Sequence, residues 1–127
     1  MNIPQELLYT KDHEWVRLNG DTATVGVTDF AQGELGDVVF VQLPNTGRRV
    51  TQGEAFGTIE AVKAVADIYS PVSGEITEVN STLTEKPESM NQDPYGAGWV
   101  VKIKTSDIQA DKSHLLDPAA YADLTSA

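Results

Sequence analysis

Short alternations of apolar and polar residues, cut at regular intervals by turn residues, constrain this chain more than any other feature. Ala23, Val25 and Val27 alternate with Thr22, Thr24 and Gly26. Val39, Val41 and Leu43 alternate with Val38, Phe40 and Gln42, and Trp99, Val101 and Ile103 with Val100, Lys102 and Lys104. A period of two puts successive side chains on opposite faces of a strand. Further strands are expected at 14–18, 55–60, 65–69 and 75–79. Asn19-Gly20-Asp21, Pro44-Asn45-Thr46-Gly47, Gln52-Gly53 and Ser73-Gly74 separate them. Many short strands with regular turn signals imply a β-sandwich or barrel. Helix is sparse. Residues 28–35 can form a turn or two capped by Thr28. Residues 82–90 are ambiguous, with Pro87 interrupting them. The tail from Asp117 to Leu124 reads as a short helix with Asp117 as N-cap and Pro118 at the first position.

At 127 residues the chain is expected to form one domain. A domain of this size buries roughly two-thirds of its unfolded surface, so it needs neither disulfide nor metal to be stable. There is no Cys, hence no disulfide framework, thiolate metal site or Cys nucleophile. Nineteen Asp and Glu against nine Lys and Arg give a net charge of −10. Phosphate-backbone binding needs the opposite sign, and an anionic membrane surface is disfavoured for the same reason. No apolar run is long enough to span a membrane. The start, Met1 to Leu8, lacks a basic n-region and an apolar h-region and is not an Arg-rich transit peptide. If Met1 is the natural start, a cytoplasmic location is expected; a mitochondrial matrix location would require a removed transit peptide.

Lys63 stands alone: no other Lys or Arg occurs between Arg49 and Lys86. Strand-forming residues flank it on both sides, so it should sit at the tip of a hairpin. An exposed hairpin lysine is commonly a solvated guard against edge pairing. Here the tip, Ala61-Val62-Lys63-Ala64, contains none of the Gly, Asn, Asp or Pro that usually ease a tight turn. Folding does not ask for Val62 to be exposed there, which suggests a tip kept for a reader outside the fold. A single amine on a rigid turn suits attachment of a long prosthetic arm.

The chain carries no catalytic apparatus that its residues reveal. His13 and His114 are far apart in sequence and lack metal-ligand spacing. No Gly-x-Ser-x-Gly elbow, phosphate loop or Gly-x-Gly-x-x-Gly occurs.

The frame Gly47, Val50, Gly53-Glu54, Ile59-Glu60, Lys63, Ile68, Ser70-Pro71 and Gly74-Glu75-Ile76 resembles the biotinyl/lipoyl carrier fold. Biotin carriers usually flank the lysine with Met, and lipoyl domains of 2-oxo-acid dehydrogenases usually have Asp-Lys-Ala. Val62-Lys63-Ala64 instead resembles the glycine cleavage system H-protein family. Tyr9 to Val16, Gly26 to Gln32, Leu35 to Pro44, Glu78-Val79-Asn80, Asn91-x-Asp93-Pro94-Tyr95-Gly96 and Gly98-Trp99 are similar to that family as well, so the likeness covers nearly the whole chain. Ala61 departs from it, since the family usually has Ser there.

The resemblance implies a mainly β barrel-sandwich hybrid, two antiparallel sheets with short helices and a C-terminal helix. It implies a non-catalytic, monomeric carrier bearing lipoic acid as an amide on Lys63. The partners would be a glycine decarboxylase (P protein), an aminomethyltransferase (T protein), a dihydrolipoamide dehydrogenase (L protein) and a lipoate-attaching enzyme that reads Glu60, Val62 and Ala64. Glu14 and Asp67 would line the cleft holding the loaded arm, where a carboxylate favours the protonated amine. His13 and Trp15 are expected to be structural, with Trp15 in the core. Two other readings stay open: a relay that donates lipoate to other complexes, and a carrier-fold interaction module that is never modified.

Overall fold

The computed structural model describes residues 2–126; Met1 and Ala127, the ends of the expected single domain, lie outside the described residues. Nine strands and five short helices occur among them: β1 (Leu8–Tyr9), β2 (Glu14–Asn19), β3 (Thr22–Val27), α1 (Asp29–Leu35), β4 (Val38–Gln42), β5 (Arg49–Val50), β6 (Ala55–Ala61), β7 (Val65–Tyr69), β8 (Gly74–Val79), α2 (Thr82–Glu85), α3 (Ser89–Gln92), β9 (Val101–Thr105), α4 (Ile108–Lys112) and α5 (Pro118–Thr125). They form two antiparallel sheets. One is six-stranded in the order β1-β2-β3-β9-β8-β5; the other is three-stranded, β4-β6-β7. This is the expected mainly β architecture of two sheets, short helices and a terminal helix.

The main core lies between the sheets. Val16, Ala23, Val25, Ile76 and Ile103 of the larger sheet pack with Val41, Ile59 and Ile68 of the smaller one. A second cluster of Leu7, Tyr9, Trp15 and Tyr121 lies beneath α5. Trp15 is buried as expected, but in this second cluster rather than between the sheets. Its ring covers Gly26, its cross-strand partner, and a Cβ at Gly26 would fall 2.6 Å from Trp15 Cε2. Gly26→Ala should therefore overpack this site and lower unfolding stability by about 1–3 kcal/mol, measurable by urea denaturation of the unmodified protein.

Two expectations need correction. In β4 the strict alternation fails: a register shift lies between Val38 and Phe40, so Val38 and Val41 are buried while Val39 and Phe40 both face solvent. A bulge opposes two residues to one and re-aims a side chain. Trp99 lies outside β9, which begins at Val101. The ambiguous stretch 82–90 holds α2 and the start of α3, interrupted at Pro87 as the sequence indicates. Thr28 and Asp117 cap α1 and α5 as expected, accepting from the amides of Ala31 and Ala120.

Candidate functional site

The site begins with the β6–β7 hairpin. Ile59 pairs with Ala66 and Glu60 with Val65. The Ala61 amide donates to the Ala64 carbonyl at 2.8 Å and closes the tip. No tip residue needs the left-handed backbone region: among the described residues His13 is the one non-glycine with positive φ, at 71°. This explains why the turn manages without Gly or Asn. The Val62 amide donates to the Asp37 carbonyl at 3.0 Å, tying the tip to the start of β4. Val62, Lys63 and Ala64 are exposed, as is Glu60.

The Lys63 stem lies across Gly36. A Cβ there would sit 2.7 Å from Lys63 Cε and 3.5 Å from Nζ. Gly36 ends α1 with φ 78°, a conformation that favours glycine, and its amide caps the Gln32 carbonyl. Asn91 on α3 fixes this corner from both sides. Its Nδ2 donates to the Gly36 carbonyl at 2.8 Å and its Oδ1 accepts from the Val38 amide at 2.9 Å. Neither Gly36 nor Asn91 carries a functional signal of its own in the sequence. The one clue was their place in blocks that resemble the family.

From Leu35, one residue before Gly36, a groove of about 380 Å³ runs between α1 and β7. Phe30 and Leu35 wall it on the helix side, Val27 and Ile59 floor it, and Glu14 and Asp67 both line it. It thus brings together the two carboxylates expected at a cleft. Asp67 is exposed, paired with Thr58. Glu14 is not an outward strand residue: it is only 2% exposed. Its Oε1 accepts from Thr10 Oγ1 at 2.6 Å and its Oε2 from the Tyr69 amide at 3.2 Å. The second bond uses a main-chain donor on the free edge of β7. Burial pushes the Glu14 carboxyl up to about 8, and the Thr10 and Tyr69 bonds only partly oppose it.

His13 packs on Phe30 with ring centroids 4.6 Å apart. Its Nδ1 lies 2.9 Å from the Tyr121 hydroxyl, which is 2.7 Å from Thr28 Oγ1. Burial lowers the His13 pKa, with Asp12 and Glu34 pulling the other way. The last helix therefore clasps both the turn before Glu14 and the cap of α1, the two supports of the groove. His13 takes part in this packing and also lines the groove. No group of His, Cys, Asp or Glu among the described residues could hold a metal. Among the described residues no helix is long and apolar enough to cross a membrane.

The profile of the family described as "Glycine cleavage H-protein" matches residues 7–127. The chain belongs to the glycine cleavage H-protein family. A glycine cleavage system H protein of Rubrobacter xylanophilus is 60% identical over 120 residues, covering 94% of this chain and 92% of the relative. One from Chlorobium luteolum is 57% identical over 126 residues, 98% of each chain. The crystal structure of a glycine cleavage system H protein from Mycobacterium marinum superposes with a TM-score of 0.87 at 38% identity, over 98% of this chain and 100% of that one. The similarity spans the hairpin, the groove and the last helix alike.

The state of Glu14 has a consequence for stability. Its folded pKa lies above its ordinary value of 4.5. The folded protein therefore holds a proton that the unfolded chain releases, and stability falls as pH rises from about 4.5 to about 8. Glu14→Gln should flatten that decline by on the order of a few kcal/mol, read from denaturation midpoints at the two ends of the window.

Proposed function

We propose that this H-protein family member is the lipoylated carrier of the glycine cleavage system, with lipoate joined as an amide to Lys63. It acts as a single domain over 1–127, with its carrier core at about 20–105, as a monomer in the cytoplasm. The observation that carries the reading is the exposed Lys63 amine on a closed hairpin tip, its stem laid over Gly36 at the end of the helix that walls the groove of Glu14 and Asp67.

The residues fit the group. Gly36 leaves the space that a methyl would fill, so a lysine carrying a long acyl chain can turn toward the groove. Bound lipoate supplies a dithiolane that accepts the aminomethyl group left when glycine loses CO2, and gives up its disulfide in doing so. The chain does the holding. Val27, Phe30, Leu35 and Ile59 offer an apolar channel for a hydrocarbon arm. Glu14 and Asp67 offer negative charge to a primary ammonium. A cation entering beside Glu14 draws its pKa back down and leaves an ion pair sheltered from water. Thr10 and the Tyr69 amide keep that carboxylate in place.

The other components of the system are the partners: the glycine decarboxylase loads the arm, the aminomethyltransferase unloads it, and the dihydrolipoamide dehydrogenase reoxidises it. A tethered arm meets each at high effective concentration without a new contact. Peptide mapping of the native protein tests the assignment. The lipoyl mass should fall on the peptide containing Lys63 and on no other lysine. A native protein with the unmodified mass would make the chain a carrier-fold module that carries nothing.

A further inference from the structure

Among the described residues five large apolar side chains are prominently exposed: Val39, Phe40, Val62, Val65 and Leu124. Four of the five surround the Lys63 tip. Register places Phe40, Glu60 and Val65 on one rung of the smaller sheet, and Val62 is tied to Asp37 next to β4. The bulge between Val38 and Phe40 turns both Val39 and Phe40 outward. A regular strand would have buried one of them, so the patch costs the smaller sheet part of its core. Clustered exposed apolar groups mark interaction sites, unlike the same groups scattered singly. Carboxylates border the patch: Asp37 and Glu60 are exposed beside it, and Lys63 is the lone cation between Arg49 and Lys86.

We propose that this patch is the docking surface for the enzyme that acylates Lys63, one whose active-site mouth is apolar and rimmed with Lys and Arg. The inference rests on the reading of Lys63 as the attachment site. Distance selects the occupant. An enzyme acting on the far end of a long arm can work at arm's length from the tip. One that forms the amide must bring its acyl carbon into bonding contact with Nζ, and so must touch what surrounds it. The neutral amine attacks the carbonyl carbon of an acyl-adenylate. The C–N bond forms, the C–O bond breaks, adenylate leaves with the electron pair, and nitrogen loses a proton to solvent. Val39 and Phe40 lie far from Lys63 in sequence, so the enzyme reads the folded sheet rather than a linear motif. The acidic border steers a basic mouth onto the tip and makes the encounter sensitive to salt.

The test uses the unmodified full chain with a lipoate-attaching ligase, ATP and lipoate, following acylation by mass. Val39→Ser with Phe40→Ser should lower kcat/KM about tenfold or more, mainly through KM, with an unchanged melting temperature because both side chains are exposed. Asp37→Lys with Glu60→Lys should also raise KM and should weaken the salt dependence. Leu124→Ser, away on α5, should leave the rate as it is. Wild-type kcat/KM in both double variants overturns the docking proposal. Normal acylation with impaired reaction of the decarboxylase or transferase gives the patch to that enzyme and overturns it too. So does a wild-type dimer that the serine variant dissociates. A wild-type chain that is not acylated at all defeats the reading of Lys63 itself, which is a different failure.

Discussion

Glycine-dependent CO2 release in the reconstituted system should fall to background when Lys63 is replaced by Arg. The substitution keeps the positive charge and a long stem, but a guanidinium is not an acyl acceptor under these conditions. Nothing folded depends on the amine. Lys63 is exposed, and its prominent neighbour is the backbone of Gly36. The variant should therefore melt with the wild type and keep its β-sheet spectrum. Loss of activity with an intact fold isolates the attachment chemistry. Full activity in Lys63→Arg would remove the carrier assignment from this hairpin tip.

The second large effect concerns how long the loaded arm survives. An S–CH2–NH2 group expels its thiolate through the nitrogen lone pair, and protonation withdraws that pair. Glu14 and Asp67 line one groove, and Glu14 is held by Thr10 and Tyr69. A sheltered charge-assisted contact contributes about 1–3 kcal/mol. Glu14→Gln with Asp67→Asn should therefore speed decay of the aminomethyl-loaded protein by roughly ten- to a hundredfold. Ammonia and formaldehyde release without the transferase reads this directly. Lipoylation should proceed normally, since neither side chain is at the tip. Equal decay rates would leave the two as ordinary carboxylates.

Much of this was legible in the sequence, for a local reason. Alternation and turn residues are short-range signals, so β2, β3, β6, β7 and β8 stand within a residue or two of their expected bounds. Caps are local as well, which is why Thr28 and Asp117 fall where expected. The failures are non-local. Nothing in Val38-Val39-Phe40-Val41 announces a bulge, because all four residues are apolar and the shift arises from pairing with β6. β1 and β5 have two residues each and exist only through their partners. Glu14 begins a strand, and no local signal says which way it points. Its burial follows from the free edge of β7, fifty-five positions on, whose Tyr69 amide needs an acceptor. Gly36 could be read as a helix stop. That it also makes room for a lysine twenty-seven positions later belongs to the folded chain.

The clasp of Tyr121 on His13 and Thr28 separates the molecule's parts in time as well as in space. The lysine hairpin joins strands adjacent in the chain, and such closures form early at small entropic cost. The groove's supports are secured by a contact spanning 108 residues, from His13 to Tyr121, reinforced where the rings of Tyr9 and Tyr121 stack. That closure comes late. A chain emerging from the ribosome can thus close the Lys63 hairpin before Tyr121 is available to lock the groove's supports. The groove's supports are complete only once the last helix has docked on His13 and Thr28.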